Sequence, residues 1–231
     1  MPAARLDVPA VDPRDWPTMS KARIEAFSDA VIAVAITLLA LDLHVPDPAA
    51  PGSLAHKLGE QWPNYAAYVV SFLTIGVIWI NHHAMLQRLL SVDHAILVLN
   101  LLLLLTIGVL PFSTALMARY LDAAHGANFA AVVYGGSFLL MSLAFVAMQR
   151  HVLGPKRHLL KDHFTPEIRR TVLRRNAIGL LPYAVATVGG IVSPFLTLGI
   201  CAAVAAFYAL PRTTFDVQPP ARPVESESDR A

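Results

Sequence analysis

RIEAFSDAVIAVAITLLALDL, residues 23–43, is the stretch whose reading decides the fold. From Ile24 to Leu43 it has the length of about 20 apolar residues that a bilayer-crossing helix requires, yet Asp29 lies inside it, shortly after Arg23. An ionised carboxylate in hydrocarbon is so costly that it is kept only with a partner or a wet path beside it. The first helix is therefore the first place to look for function.

The rest of the chain supports a membrane reading. It is 55% hydrophobic and only 15% charged, with a mean hydropathy of +0.53, which is outside the range of water-soluble globules. Further apolar stretches follow at Tyr65–Ile80, Ile96–Met117, Phe129–Met148, Ala177–Val192 and Phe195–Leu210. The sequence predicts an all-α membrane protein with six transmembrane helices per subunit. The last two are short and joined only by Ser193 and Pro194, so a re-entrant hairpin is the alternative there. Residues 1–20 read as a polar, Pro-rich leader, 21–211 as the transmembrane domain, and 212–231 as a disordered tail rich in Pro, Ser and Glu. The first span is too long for a signal-peptide core and reads as a retained helix. Cys201 is the single cysteine, which leaves no intrachain disulfide and no cysteine metal cluster.

Lysine and arginine set the orientation. With six spans and both termini cytoplasmic, all but Lys57 and Arg119 of the 18 Lys and Arg residues fall inside, as the positive-inside rule requires. The connection from Arg150 to Arg175 is the densest basic segment. It reads as the topology signal in contact with anionic headgroups, with no nucleic-acid partner.

Asp29 lies about 9 Å beyond Arg23 at 1.5 Å per residue. The second span runs the opposite way and reaches the same depth at its end, Trp79-Ile-Asn-His-His83. Trp79, Asn81, His82 and His83 are thus expected to meet Arg23, Ser28 and Asp29, offering the donors that a carboxylate in hydrocarbon needs. The plain account is a polar lock between two helices, which positions helix one without touching any permeating species.

Arg23 to Asp29 resembles the Arg-x-x-x-Phe-Ser-Asp signature of the endosomal/lysosomal potassium channel family (transmembrane protein 175), above all its single-repeat bacterial members. Arg23, Phe27, Ser28 and Asp29 are the signature positions. Trp79 to His82 is similar to the family's Trp-x-x-His, and Leu110–Leu116, LPFSTAL, also matches. The likeness spans the chain from about Lys21 to Leu210. It implies a homotetrameric, potassium-selective cation channel of the cell membrane, held in the lipid bilayer, in which four copies of helix one line a central pore. It further implies an apolar constriction at Val34, Leu38 and Leu41, with Thr37 the one hydroxyl on that face, and no cofactor or bound metal beyond permeating potassium. Val34, Thr37, Leu38 and Leu41 fall at i, i+3, i+4 and i+7, one helical stripe. Without the signature such a stripe would read as a packing or lipid-facing surface. The carbonyl filter sequence TVGYG is absent. Relatives carry bulkier Ile or Leu at the level of Val34, which moves the expected constriction toward Leu38 or Leu41. Asp42 at the outer end reads as an interfacial acid or as a collector of cations at the mouth.

Two other classes compete. A metal-dependent membrane enzyme would use His82, His83, His151, His158 and His163, although the spacing of the last three puts no ligand pair on one helix face. A secondary transporter would use helix breaks at Pro111, Pro182, Pro194 and Gly189-Gly190, but transporters of that kind carry paired repeats and none is visible.

Overall fold

The computed structural model describes residues 20–154, 159–160 and 166–209. The expected leader, apart from Ser20, and the tail lie outside the described residues, as do Lys156, Arg157, His158, Lys161 and His163 of the basic segment.

Among the described residues the fold is helical, with only an isolated bridge between Leu89 and Leu160. Helix α1 runs Lys21–Leu38 and tightens into a 3-10 turn over Leu39–Asp42. A short α2, Leu54–Glu60, is started by the Ser53 side chain, which accepts from the His56 amide. Helix α3, Trp62–Gln87, follows with Pro63 in its first turn, where a missing N–H costs nothing. Helix α4, His94–Tyr120, is capped by Asp93, whose carboxylate accepts from the Ile96 amide at 2.8 Å. Helices α5, Ala127–Leu153, α6, Pro166–Ile178, α7, Leu180–Gly189, and α8, Pro194–Ala209, complete the order.

Among the described residues four segments are long and apolar enough to cross a membrane: Lys21–Asp42, α3, α4 and α5. At 1.5 Å per residue the three longest reach about 40 Å. The apolar stretch expected as a fifth span is divided by Gly179, which separates the basic α6 from α7, and it closes in a turn after Gly189. That leaves α7 with 10 residues and α8 with 16, about 15 and 24 Å, shorter than the roughly 30 Å hydrocarbon layer. Pro182 and Pro194 stand near the starts of α7 and α8, and α4 is continuous through Pro111, so these prolines do not break helices at their middles.

The core is one continuous apolar cluster in which Ile32, Ile75, Leu86, Leu103, Ile107, Tyr134, Phe138 and Met141 are fully buried. Helix α5 sits between α4 on one side and α7 with α8 on the other, while α1 lies on α3 and α4. Two glycines set the closeness of α5 to the C-terminal pair. A Cβ on Gly135 would stand 3.0 Å from the Thr187 backbone, and one on Gly190 2.9 Å from the Val132 amide. Small residues allow such approach, which matters in lipid, where dispersion packing replaces much of the hydrophobic drive. Ser71 joins the Thr114 hydroxyl at 2.8 Å and that of Tyr134 at 3.1 Å, tying α3, α4 and α5 in their buried interior. Thr114 belongs to the LPFSTAL run, so at least this position of the run is a packing element.

Candidate functional site

Helix α1 carries two different faces. Ile24, Ser28, Ile32 and Ala35 are buried against the subunit, and Leu39 continues that row on the 3-10 turn. Phe27, Val34, Leu38 and Leu41 are bare, with Val34 56% exposed, Leu38 42% and Leu41 72%. Val34, Leu38 and Leu41 belong to the stripe, and their own subunit does not cover them; Phe27, expected among the polar network of the signature, is bare as well. Because the helix tightens after Leu38, residues three apart eclipse one another, so Leu41 stands over Leu38 instead of drifting round the cylinder. Thr37 is exposed beside them, and its hydroxyl donates back to the Val34 carbonyl at 2.8 Å. That bond uses the hydroxyl proton and leaves the oxygen's two lone pairs free to accept.

Of the polar residues of the same helix, Ser28 faces inward and Asp29 reaches α3. The Trp79 indole N–H donates to the Asp29 carboxylate at 2.9 Å, a pairing that the matched depths of the two helices anticipate. One step deeper, the Asn100 amide donates to the Ser28 hydroxyl at 2.9 Å, and its oxygen lies 2.7 Å from His82 Nε2. With the amide nitrogen committed to Ser28, the amide oxygen accepts, so the hydrogen of His82 is on Nε2. Ser28, His82 and Asn100 are all buried. Their bonds join α1, α3 and α4 in a chain in which every link leaves a costly orphan if one member is removed.

Some expected members stand elsewhere. Asn81 turns away and donates to the Val77 carbonyl of its own helix at 2.8 Å, because neighbouring helix positions are about 100° apart and cannot share a face with both Trp79 and His82. Arg23 is exposed and, among the described residues, forms no pair with Asp29. His83 approaches Glu25 at 3.2 Å, and Gln87 donates to the same carboxylate at 2.7 Å. Asn100, Glu25 and Gln87 escaped the reading of the sequence. Asn100 carried a signal: it is the one amide in the otherwise apolar Ile96–Leu105, and an amide in hydrocarbon implies a partner.

The histidines among the described residues do not assemble. His82 is bonded to Asn100, His83 faces Glu25, and His151 lies 3.8 Å from Asp93. Among the described residues no three His, Cys, Asp or Glu side chains are placed to hold a metal ion.

Residues 23–111, which contain nearly all of α1, the whole of α3 and most of α4, match the family model described as endosomal/lysosomal potassium channel TMEM175. A potassium channel of Streptomyces collinus is 44% identical over 186 residues, covering 80% of this chain and 90% of that one. The crystal structure of a lysosomal potassium-selective channel TMEM175 homolog from Chamaesiphon minutus superposes with a TM-score of 0.72 at 34% identity, covering 82% of this chain and 96% of that one. The Homo sapiens endosomal/lysosomal proton channel TMEM175 is 40% identical over 103 residues, 41% of this chain and 20% of that longer protein. With a relative 44% identical over nine-tenths of its length, this chain belongs to the TMEM175 family.

Proposed function

We propose that the protein is a potassium-selective cation channel of the cell membrane, assembled as a homotetramer whose four copies of α1 enclose the conduction path. In this reading Val34, Leu38 and Leu41 form stacked apolar rings, Thr37 places an oxygen beside them, and both termini are cytoplasmic. The apolar helices α7 and α8 complete a six-helix subunit, packed as a short pair behind α5. The observation that carries the proposal is the inversion of α1: its own subunit buries Ser28 and leaves Val34, Leu38 and Leu41 bare. A lipid-facing helix would also bare its apolar side, and the family resemblance is what turns this stripe toward an axis. The relatives named as potassium channels agree with the substrate.

Such rings can gate by dewetting, and a tight ring discriminates through the cost of stripping water from the ion, which is lower for potassium than for sodium. Asp29, Ser28, Trp79, His82 and Asn100 do not touch the ion; they fix the rotation of α1 that aims the stripe. The test is a bilayer recording under bi-ionic potassium and sodium. Unitary current steps with a reversal potential displaced toward potassium are expected. Equal permeability of the two ions removes the selectivity, and flux that saturates while coupled to a second solute replaces the channel with a transporter.

A further inference from the structure

The last turns of α3 and α5 meet α6 around a cleft. Its apolar walls are Met85 of α3, Val152 and Leu153 of α5, Leu160 of the connection and Val172 of α6. Counted out to its open mouth it holds about 470 Å³, room for a segment of one chain and not for a whole lipid. Along α3 it extends from Asn81 to Arg88, about 10 Å at 1.5 Å per residue. The connection is pinned to the end of α3, because the Leu90 amide donates to the Leu159 carbonyl at 2.7 Å and Leu89 bridges Leu160.

Polar groups enter this apolar cleft in a fixed order. Arg88, the last residue of α3's capped end, is partly buried and lines the cleft. Arg169 lies one turn before Val172 on α6 and donates to the Leu153 carbonyl at 3.4 Å, which brings a second guanidinium to the same end. One to two turns further in stand the amides of Gln149 and Asn81. Asn81 uses one amide hydrogen on the Val77 carbonyl and has a second to give. Among the described residues no carboxylate lines the cleft.

That order matches the chemistry of one class of molecule. Guanidinium groups bind phosphate with charge-assisted hydrogen bonds, and basic pockets between membrane helices take anionic headgroups. A free phosphate ion would satisfy the arginines and leave the apolar walls unmatched. A choline headgroup would bring a third cation to two that no carboxylate balances. We propose that this cleft binds one anionic phospholipid from the leaflet at the α3 end, which is the cytoplasmic leaflet in the proposed orientation. Arg88 and Arg169 hold the phosphate, Asn81 with Gln149 beside it offers an amide hydrogen to an ester carbonyl, and the first methylenes of one acyl chain lie on Met85, Val152 and Val172. The bound lipid ties α6 to the ends of α3 and α5. It differs from general attraction to the exposed Arg170 and Arg174 of α6 in drawing on a guanidinium from another helix and on a shaped apolar wall.

The test is the melting temperature of the full chain in phosphatidylcholine nanodiscs doped with increasing mole fractions of phosphatidylglycerol. A rise that saturates is expected. Arg88→Gln should raise the half-saturating fraction about ten-fold, the loss of one hydrogen bond to a charged group. Val172→Trp, which fills the cleft and leaves the charge unchanged, should abolish the saturable rise. Arg174→Gln removes the same charge outside the cleft and should shift the half-saturating fraction less than about two-fold. A wild-type melting temperature indifferent to phosphatidylglycerol, a Val172→Trp protein that keeps the wild-type curve, or an Arg174→Gln loss equal to that of Arg88→Gln overturns the site. Inorganic phosphate added to pure phosphatidylcholine discs should not reproduce the rise; if it does, the cleft takes a free anion and the lipid is overturned. Should Arg88→Gln fail to fold, the wild-type and Val172→Trp curves decide. The readout is binding and not current, so its failure leaves the channel reading standing, and a chain that conducts nothing leaves the lipid site standing.

Discussion

One helix presents two opposite surfaces. In its first three turns α1 turns Ser28 into the subunit and bridges Glu25 and Asp29 to α3, so its polar atoms are paired. In its outer half it leaves Val34, Leu38 and Leu41 uncovered. In a water-soluble helix the exposures would be the reverse. Lipid explains why the carboxylates and the amide are paired, because hydrocarbon offers them no hydrogen bonds. Thr37 lies on the bare side with its hydroxyl bonded to its own helix, and the proposed conduction path would give its oxygen a further role. The inner half fixes the angle of the helix, and the outer half uses it.

The comparison breaks most severely if the buried chain is cut. Asn100→Ala leaves both Ser28 and His82 without their partner, at about 1–3 kcal/mol for each group orphaned. A marked fall in the melting temperature of the detergent-solubilised protein is expected. An unchanged melting curve would mean that the inner half does not fix α1. Asp29→Ala comes next: it removes an acceptor bonded by Trp79, worth about 1.5–3 kcal/mol for a charged partner. It is expected to reduce assembled protein on size exclusion more than it alters the selectivity of the channels that do assemble.

On the bare half the expectations invert. Leu38→Ala removes an exposed side chain, so stability changes by no more than about 0.5 kcal/mol, while the potassium-to-sodium permeability ratio falls and leak rises. Loss of folding without loss of selectivity would move Leu38 from the pore to a packing surface. The smallest effect belongs to Thr37→Val, which removes a bond to the helix's own backbone. It should leave assembly intact and lower selectivity slightly, as reversal potentials would report.

The sequence made some of this legible for physical reasons that can be named. Depth along two antiparallel helices depends only on rise per residue, which is why Asp29 and Trp79 could be brought together from numbering alone. Rotation is harder, since it depends on side-chain direction. Asn81 shares its depth with Trp79 but points to another face, and Arg23 shares a motif with Asp29 without pairing to it. Asn100 was missed because attention fell on two helices, although a lone amide in a leucine-rich run already called for a third. The end of the chain was the least legible part. Hydropathy gives one apolar stretch from Ala177 to Val192, of which α7 keeps only Leu180–Gly189.

The central claim is that the bare stripe of α1 meets water in the assembled protein and lipid does not cover it. It is tested most directly by cysteine substitution, since the native Cys201 is buried. A charged, water-soluble thiol reagent is applied during recording to Leu38→Cys and, as the control, to Leu105→Cys on α4, which is 65% exposed on the subunit. Rapid block of current at position 38 with none at 105 is the expected result. An unreactive cysteine at 38, or block at 105, would place some other surface around the ion.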